Sequence, residues 1–380
     1  MKVLIAIDSF KGSISSQEGS RAIALGIKEV YPDAHIGIVP LADGGEGTVQ
    51  ALVQAVNGEY VTKEVTGPLG SKVKAVYGIL GDRTTAIIEV AAACGLPLVP
   101  LNDRNPLLTT TFGVGELISD AMEKGCRKFV IGLGGSATND AGVGMLQALG
   151  FSFYNENNEE VGRGGQVLEQ IRKIDTTRVN QTLLECQFQV ACDVDNPLYG
   201  NKGAAYVFAP QKGATQEMVR ALDDGLRSFA DVVMNELGTD IHQIAGAGAA
   251  GGLGGAFASL LNASLESGIQ LVLDHIALEK MLIDVDFVIT GEGKLDEQTS
   301  MGKAPLGVAK LAHIHGIPVI ALAGGVTEET SVLNEKGITA YFSIMNKPMS
   351  LVEAMDERVA FDNLRLCSNQ LFKLIKAIRS

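Results

Sequence analysis

Apolar residues in this chain fall in short runs, and the runs alternate with stretches of helical spacing. Residues 2–7 form a β-rich apolar run, 8–16 are small and polar, and 17–31 place Ala22, Ile23, Leu25, Ile27 and Val30 on one helical face. A second strand is predicted over 35–41, a loop over 42–47 and a second helix over 48–56. Two strand–helix pairs in succession announce a parallel α/β sheet. From about Glu59 the texture changes: 60–65, 73–80 and 85–90 are alternating or β-branched with Gly or Pro between them, which predicts an antiparallel meander. Then come a helix over 112–124, a strand over 128–133, a loop over 134–140 and a helix over 141–149. Further strands are predicted at 151–154 and 188–192, and a long amphipathic helix over 216–237 with Met218, Leu222, Leu226, Phe229, Val233 and Leu237 on one side.

A run with six Gly in ten residues, 246–255, leads into the helical pattern of 257–265, so it is expected to end at a helix N-terminus. The remainder returns to the opening texture. Strands are predicted at 285–289, 318–322 and 340–344, loops at 291–303 and 324–327, and helices at 306–314, 332–336 and 358–378. The fold class expected is α/β with two domains: a Rossmann-like parallel α/β domain built from both chain ends (1–65 and 286–380) and a mixed α/β domain inserted between them (66–285).

Composition narrows the chemistry. Forty-five of 380 residues are Gly, about 12% where ordinary proteins carry about 7%, with no collagen-like period, so the excess belongs to particular loops. A net charge of −13 with no basic block argues against a nucleic acid polymer as partner. The opening apolar run is short and is followed at once by Asp8, and there is no stretch of about 18 uncharged apolar residues, so neither a secretion signal nor a membrane partner is expected. Five scattered cysteines without a C-x-x-C pair suit the reducing cytoplasm.

The glycines cluster at predicted strand ends beside small hydroxyls, amides and acids. Asp8, Ser9, Lys11 and Ser13 follow the first strand; Asp43, Gly44, Gly45 and Glu46 follow the second. Gly134, Gly135, Ser136, Asn139 and Asp140 follow a third, Asp193, Asp195 and Asn196 a fourth, and Glu292, Gly293, Lys294 and Asp296 a fifth. In an open parallel sheet ligands bind beyond the carboxyl ends of the strands, where loops entering helices offer backbone N–H groups to anions. Acids in the same loops would repel a bare phosphate unless a cation lay between, and Mg²⁺ takes one or two carboxylates with phosphate oxygens and water. Lys11 and Lys294 would neutralise a transferring phosphoryl group. Taken singly, each residue has a plainer role: Asp8, Ser13 or Ser15 as a helix N-cap, Thr138, Asn139 and Asp140 as caps, Asp193 and Asp195 as solvated strand-end residues, 246–255 as a hinge. Five such loops in one chain favour a phosphoryl-transfer site. The Walker, protein-kinase, dinucleotide-binding and zinc-protease signatures are all missing.

The ordered set of segments 8–13, 42–48, 132–140, 191–198, 246–254 and 290–296 resembles that of the bacterial class I glycerate kinases over essentially the whole chain. The resemblance implies two α/β domains, the second inserted into the first, with the active site in a cleft. It also implies phosphorylation of D-glycerate by ATP with Mg²⁺, usually to 2-phosphoglycerate. The alternatives are a 3-phosphoglycerate-forming enzyme, an ATP-dependent kinase of another small hydroxy acid, and a non-catalytic anion binder. For the reaction so implied, Lys11 is expected to contact phosphate or the glycerate carboxylate, and Asp8 or Asp193 to deprotonate the hydroxyl. Asp195, Glu292 and Asp296 are the candidates for Mg²⁺. Gly134, Gly135, Ser136, Gly251, Gly252 and Lys294 are the candidates for ATP phosphates. Ser9, Asp43, Glu46 and Asn196 are candidates for glycerate, with Arg104 or Arg163 clamping its carboxylate. D-glycerate and ATP are the partners so implied, and a homo-oligomer is compatible with the sequence.

Overall fold

A computed structural model describes residues 1–300 and 302–379. Its strands are β1 (Lys2–Ile7), β2 (His35–Ile38), β3 (Glu59–Thr66), β4 (Lys72–Ile79), β5 (Thr85–Glu89), β6 (Lys128–Gly132), β7 (Ser152–Tyr154), β8 (Lys173–Asp175), β9 (Gln187–Ala191), β10 (Ser264–Glu266), β11 (Phe287–Leu295), β12 (Val319–Val326) and β13 (Ala340–Ser343). The chain divides into two compact units, one of residues 1–43 with the chain from Val272 onward, the other Gly44–Leu271. These limits differ from the expected 65/66 and 285/286. The meander from β3 onward hydrogen-bonds into the second unit's sheet, and the helix Gly268–His275 straddles the other limit.

The first unit holds a five-stranded sheet in the order β13-β12-β11-β1-β2, every pairing parallel. β1 is buried on both faces, which is why it reads as a continuous apolar run and not an alternating one. The helix Ser16–Lys28, capped by Ser15 whose side chain accepts from the Glu18 N–H, packs beside the helix Glu357–Arg379 over a core that includes Ile5, Ile23, Ile289, Leu364 and Phe372. One expectation is corrected here. β11 does not stop near Ile289 but runs to Leu295, paired with β12 through Glu292↔Ala323 and Leu295↔Val326, so 291–295 is strand and not loop. Gly291 is needed inside it because a Cβ there would lie 2.2 Å from the Leu322 carbonyl oxygen.

The second unit holds a six-stranded mixed sheet in the order β10-β9-β6-β5-β4-β3. The β3–β4 and β4–β5 pairs are antiparallel and the other three pairs parallel, the meander its alternation predicts. The long helix Gln216–Leu237 runs from a Thr215 cap to Gly238 and buries Leu222, Leu226, Phe229 and Val233. No helix among the described residues is long and apolar enough to cross a membrane.

Candidate active site

The sheet of the first unit has a topological switch point. From β1 the chain adds β2 on one side, and later adds β11, β12 and β13 on the other, so the order reverses between β1 and β11. Ligands of open parallel sheets sit at the carboxyl end of such a point. Asp8 is the residue found there. Its N–H donates to the Gly291 carbonyl at 2.9 Å, and its carboxylate accepts from the Ser9 N–H at 2.6 Å. Only 3% of it is exposed. Burial, and then the nearby Asp43 charge, raise its pKa to about 6 against the opposing pull of the Ser9 hydrogen bond and Lys11.

Lys11 stands on a tight turn closed by Phe10 N–H to Ile14 O and Ile14 N–H to Phe10 O. Its Nζ pairs with Asp43 Oδ2 at 3.3 Å. Asp43 arrives beside Asp8 because the chain after β2 keeps bonding to β1, with Val39 N–H to Ile5 O and Leu41 N–H to Ile7 O. Partial burial works against the Lys11 charge, but Asp43, Asp8 and Glu292 outweigh it and raise its pKa.

Strand period places 290, 292 and 294 on one face of β11. Glu292 is buried and accepts from Thr299 Oγ1 at 2.5 Å; burial is the chief cause that pushes its pKa to about 7, with Asp8 and Asp43 adding to it and Thr299 and Lys303 opposing. Lys294 Nζ lies 3.4 Å from Asp296 Oδ2, and the Asp296 N–H donates to Thr299 Oγ1 at 3.1 Å. Asp8, Ser9, Lys11, Glu292, Lys294 and Asp296 line one cavity of 570 Å³. Ser13 also lines it, and its Oγ is buried without a hydrogen-bond partner.

Other sequence candidates have different surroundings. Asp193 Oδ1 accepts from the Gly268 N–H at 3.0 Å, at the start of the helix Gly268–His275. Asn196 Nδ2 donates to the Lys202 carbonyl at 2.8 Å, and Asp195 is exposed; neither lines the cavity. Among the described residues no group of three or more His, Cys, Asp or Glu side chains stands ready to hold a metal, so Asp195, Glu292 and Asp296 are not a preformed triad. Arg163 stacks its guanidinium on the Phe112 ring, 3.4 Å from the centroid, and Arg104 Nε is buried without a partner. Glu46 is exposed and lines a separate shallow pocket of the second unit with Glu89.

Gly134 and Gly135 are exposed, whereas Ser136 is buried and accepts from Lys212 Nζ at 3.0 Å. Gly251 and Gly252 are buried in a left-handed break (φ +72 and +94) at the start of the helix Ala249–Leu260. A Cβ on Gly251 would lie 2.1 Å from the Thr138 carbonyl oxygen, and the Ala141 N–H donates to the Gly251 carbonyl at 3.0 Å. The missing side chains of this pair are thus required by close backbone packing within the protein itself.

Two lysines escaped sequence reasoning. Lys303 precedes the helix Ala304–Ile314, with no capping bond from its side chain, and lines the cavity. Pro305 in the first turn marks that helix start, so a lysine just before it was a readable signal for a cation at a strand-end loop. Lys212 is 2% exposed, and nothing in the pattern around it signals burial.

The sequence model described as the glycerate kinase family matches residues 3–376. The chain is 49% identical over 355 residues to a protein of Halalkalibacterium halodurans named glycerate kinase, covering 93% of each. It is 47% identical over 371 residues to a protein of Escherichia coli K12 named glycerate 2-kinase, covering 98% of this chain and 97% of the relative. A solved structure described as a glycerate kinase 2 of Salmonella typhimurium LT2 superposes with a TM-score of 0.90 at 44% identity, covering 100% of this chain and 99% of the other. With the match running from the third residue almost to the end, the chain belongs to the glycerate kinase family.

Proposed function

We propose that this protein transfers the γ-phosphate of ATP to the 2-hydroxyl of D-glycerate, with Mg²⁺, giving 2-phosphoglycerate and ADP. The observation that carries the reading is the gathering of Asp8, Glu292, Lys11, Lys294 and Lys303 around one cavity at the switch point. Phosphoryl transfer passes through a loose transition state that needs positioning and charge compensation more than covalent help. Lysines with acids suit that need. The name of the Escherichia coli relative supports the 2-position.

Asp8 is the general base of this reading. Of the two carboxylates that sequence reasoning left open, Asp193 is engaged with a helix N-terminus, whereas Asp8 lines the cavity. With a pKa raised to about 6 it is ionised at neutral pH yet basic enough to draw the proton from a hydroxyl. Lys11, steered by Asp43, offers positive charge to the phosphoryl group or the glycerate carboxylate.

The donor set fits a divalent cation. Asp43 opposes the ionisation of Asp8, and both oppose that of Glu292, while Ser13 Oγ is left without a partner in the same cavity. Glu292 and Asp296 would hold Mg²⁺, directly or through water. When bound, the metal supplies neutralisation of phosphate charge. The five unpaired cysteines support the cytoplasm as location.

The test is ADP release with D-glycerate, lactate, tartronate or glucarate as acceptor, followed by ³¹P NMR of the product. Release with D-glycerate and a phosphorus doublet from a single neighbouring C–H is expected. A triplet would place the phosphate on the 3-hydroxyl. Release confined to another acid would move the substrate, and no release with any acid would sink the kinase reading.

A further inference from the structure

The 570 Å³ cavity has two unlike sides. One carries the acids and lysines already described. The other is apolar: Phe10, Ile344, Met345, Met349, Leu351 and Met355 line it. The apolar side begins where β13 ends and runs on through the short helix Leu351–Ala354. It meets the Asp8 loop directly, because a Cβ on Gly12 would lie 2.8 Å from Met355 Cε. Leu351 is 75% exposed and Met355 38%, so this side keeps apolar surface in water.

D-glycerate has no use for such a wall. Its three carbons carry two hydroxyls and a carboxylate, with no apolar face to bury. A nucleotide has both parts, a polyanion and a flat base with an apolar face. The cavity volume is in the range of roughly 300–1,000 Å³ that encloses a ligand of nucleotide size. Methionine is flexible and polarisable and makes favourable contact with aromatic rings, roughly 0.3–1.5 kcal/mol each.

Resting on the proposed ATP-dependent reaction, we infer that the wall formed by Met345, Met349 and Met355 is the nucleobase subsite. The phosphates then run toward Lys294 and Lys303 on the opposite side. This places the whole nucleotide in the first unit, and it assigns a function to three methionines that the phosphoryl-transfer chemistry leaves unused.

The experiment is calorimetric titration of the wild-type protein and two variants with Mg–ADP and with Mg–tripolyphosphate, which has no base. The variants are Met345→Ala/Met355→Ala and the single Met355→Glu, the latter at a partly exposed position. ADP affinity is expected to fall by tenfold or more in both, with tripolyphosphate affinity within twofold of wild type. In turnover, KM for ATP rises while KM for D-glycerate stays within twofold. The inference is overturned if a variant with wild-type circular dichroism binds ADP within twofold of wild type. It is equally overturned if ADP and tripolyphosphate affinities fall together. Failure of the substrate reading looks different: the wild type would then release no ADP with D-glycerate, yet the variants would still lose ADP and keep tripolyphosphate.

Discussion

Lys212 makes a quantitative prediction about stability. Burial lowers its pKa from 10.5 to about 8, although Cys94 and Asp140 pull the other way. A lysine in the unfolded chain holds its proton to about pH 10.5, whereas the folded one releases it near pH 8. Between those values the unfolded state binds more protons, so stability rises with pH across that window. At about 1.4 kcal/mol per pH unit the rise amounts to roughly 3 kcal/mol. The perturbation is Lys212→Met, which keeps the stem and removes the charge. At pH 7 two changes oppose each other. Relief of the buried charge is worth roughly 3 kcal/mol by the same arithmetic. Against it stands the loss of the hydrogen bonds to Ser136 Oγ at 3.0 Å and the Thr138 carbonyl at 2.7 Å, each worth roughly 1.5–3 kcal/mol. The pH slope therefore decides. Urea unfolding of both proteins from pH 7 to 10.5 should give a wild-type-minus-variant difference that grows by roughly 3 kcal/mol in favour of the wild type. Curves that stay parallel within about 0.5 kcal/mol would refute the reasoning, since the titrations of groups distant from Lys212 cancel in the difference.

Three further outcomes follow from the site and its supports. Asp8→Asn should cut kcat by roughly 10²–10⁴ in the ADP-release assay, the span typical of a lost general base, whereas Asp193→Asn should cost less than about tenfold; equal losses would remove the distinction drawn between them. The wild-type kcat/KM should fall about tenfold per pH unit below about pH 6, as Asp8 takes up a proton, and a profile flat to pH 5 would exclude Asp8 as the base. Gly251→Ala, at φ +72 with its Cβ 2.1 Å from the Thr138 oxygen, should lose roughly 2–5 kcal/mol by urea unfolding, combining left-handed strain with overpacking. A loss under about 0.5 kcal/mol would mean the break relaxes freely.

Periodicity carried the architecture well, because the physical cause of each element is local. β1 is a bare apolar run because a parallel strand is covered on both faces, and 216–237 is helical because one stripe of it meets the core. The end of β11 was not legible for the opposite reason. Gly291 and Gly293 read as punctuation, yet Gly291 is there because the Leu322 carbonyl lies where its side chain would be, a contact made by residues about thirty positions on. Gly251 repeats the lesson: a glycine-rich segment looks like a phosphate loop whether it approaches a ligand or the protein's own backbone.

The same reasoning separates the carboxylates. Asp8 and Asp193 both follow an apolar strand and stand beside small polar residues, so no local rule ranks one above the other. Their neighbours rank them. The Asp193 carboxylate accepts from the Gly268 N–H at a helix start. Asp8 is buried beside Asp43, and both influences disfavour ionisation. A carboxylate that accepts a bond at a helix start is already partnered by the protein itself. One destabilised by burial and a neighbouring acid gains by accepting a proton or by meeting a cation. On that ground Asp8 is the base of the proposed reaction, and the side chain that sets it apart, Asp43, stands 35 residues away in the chain, where no reading of the first loop alone could have found it.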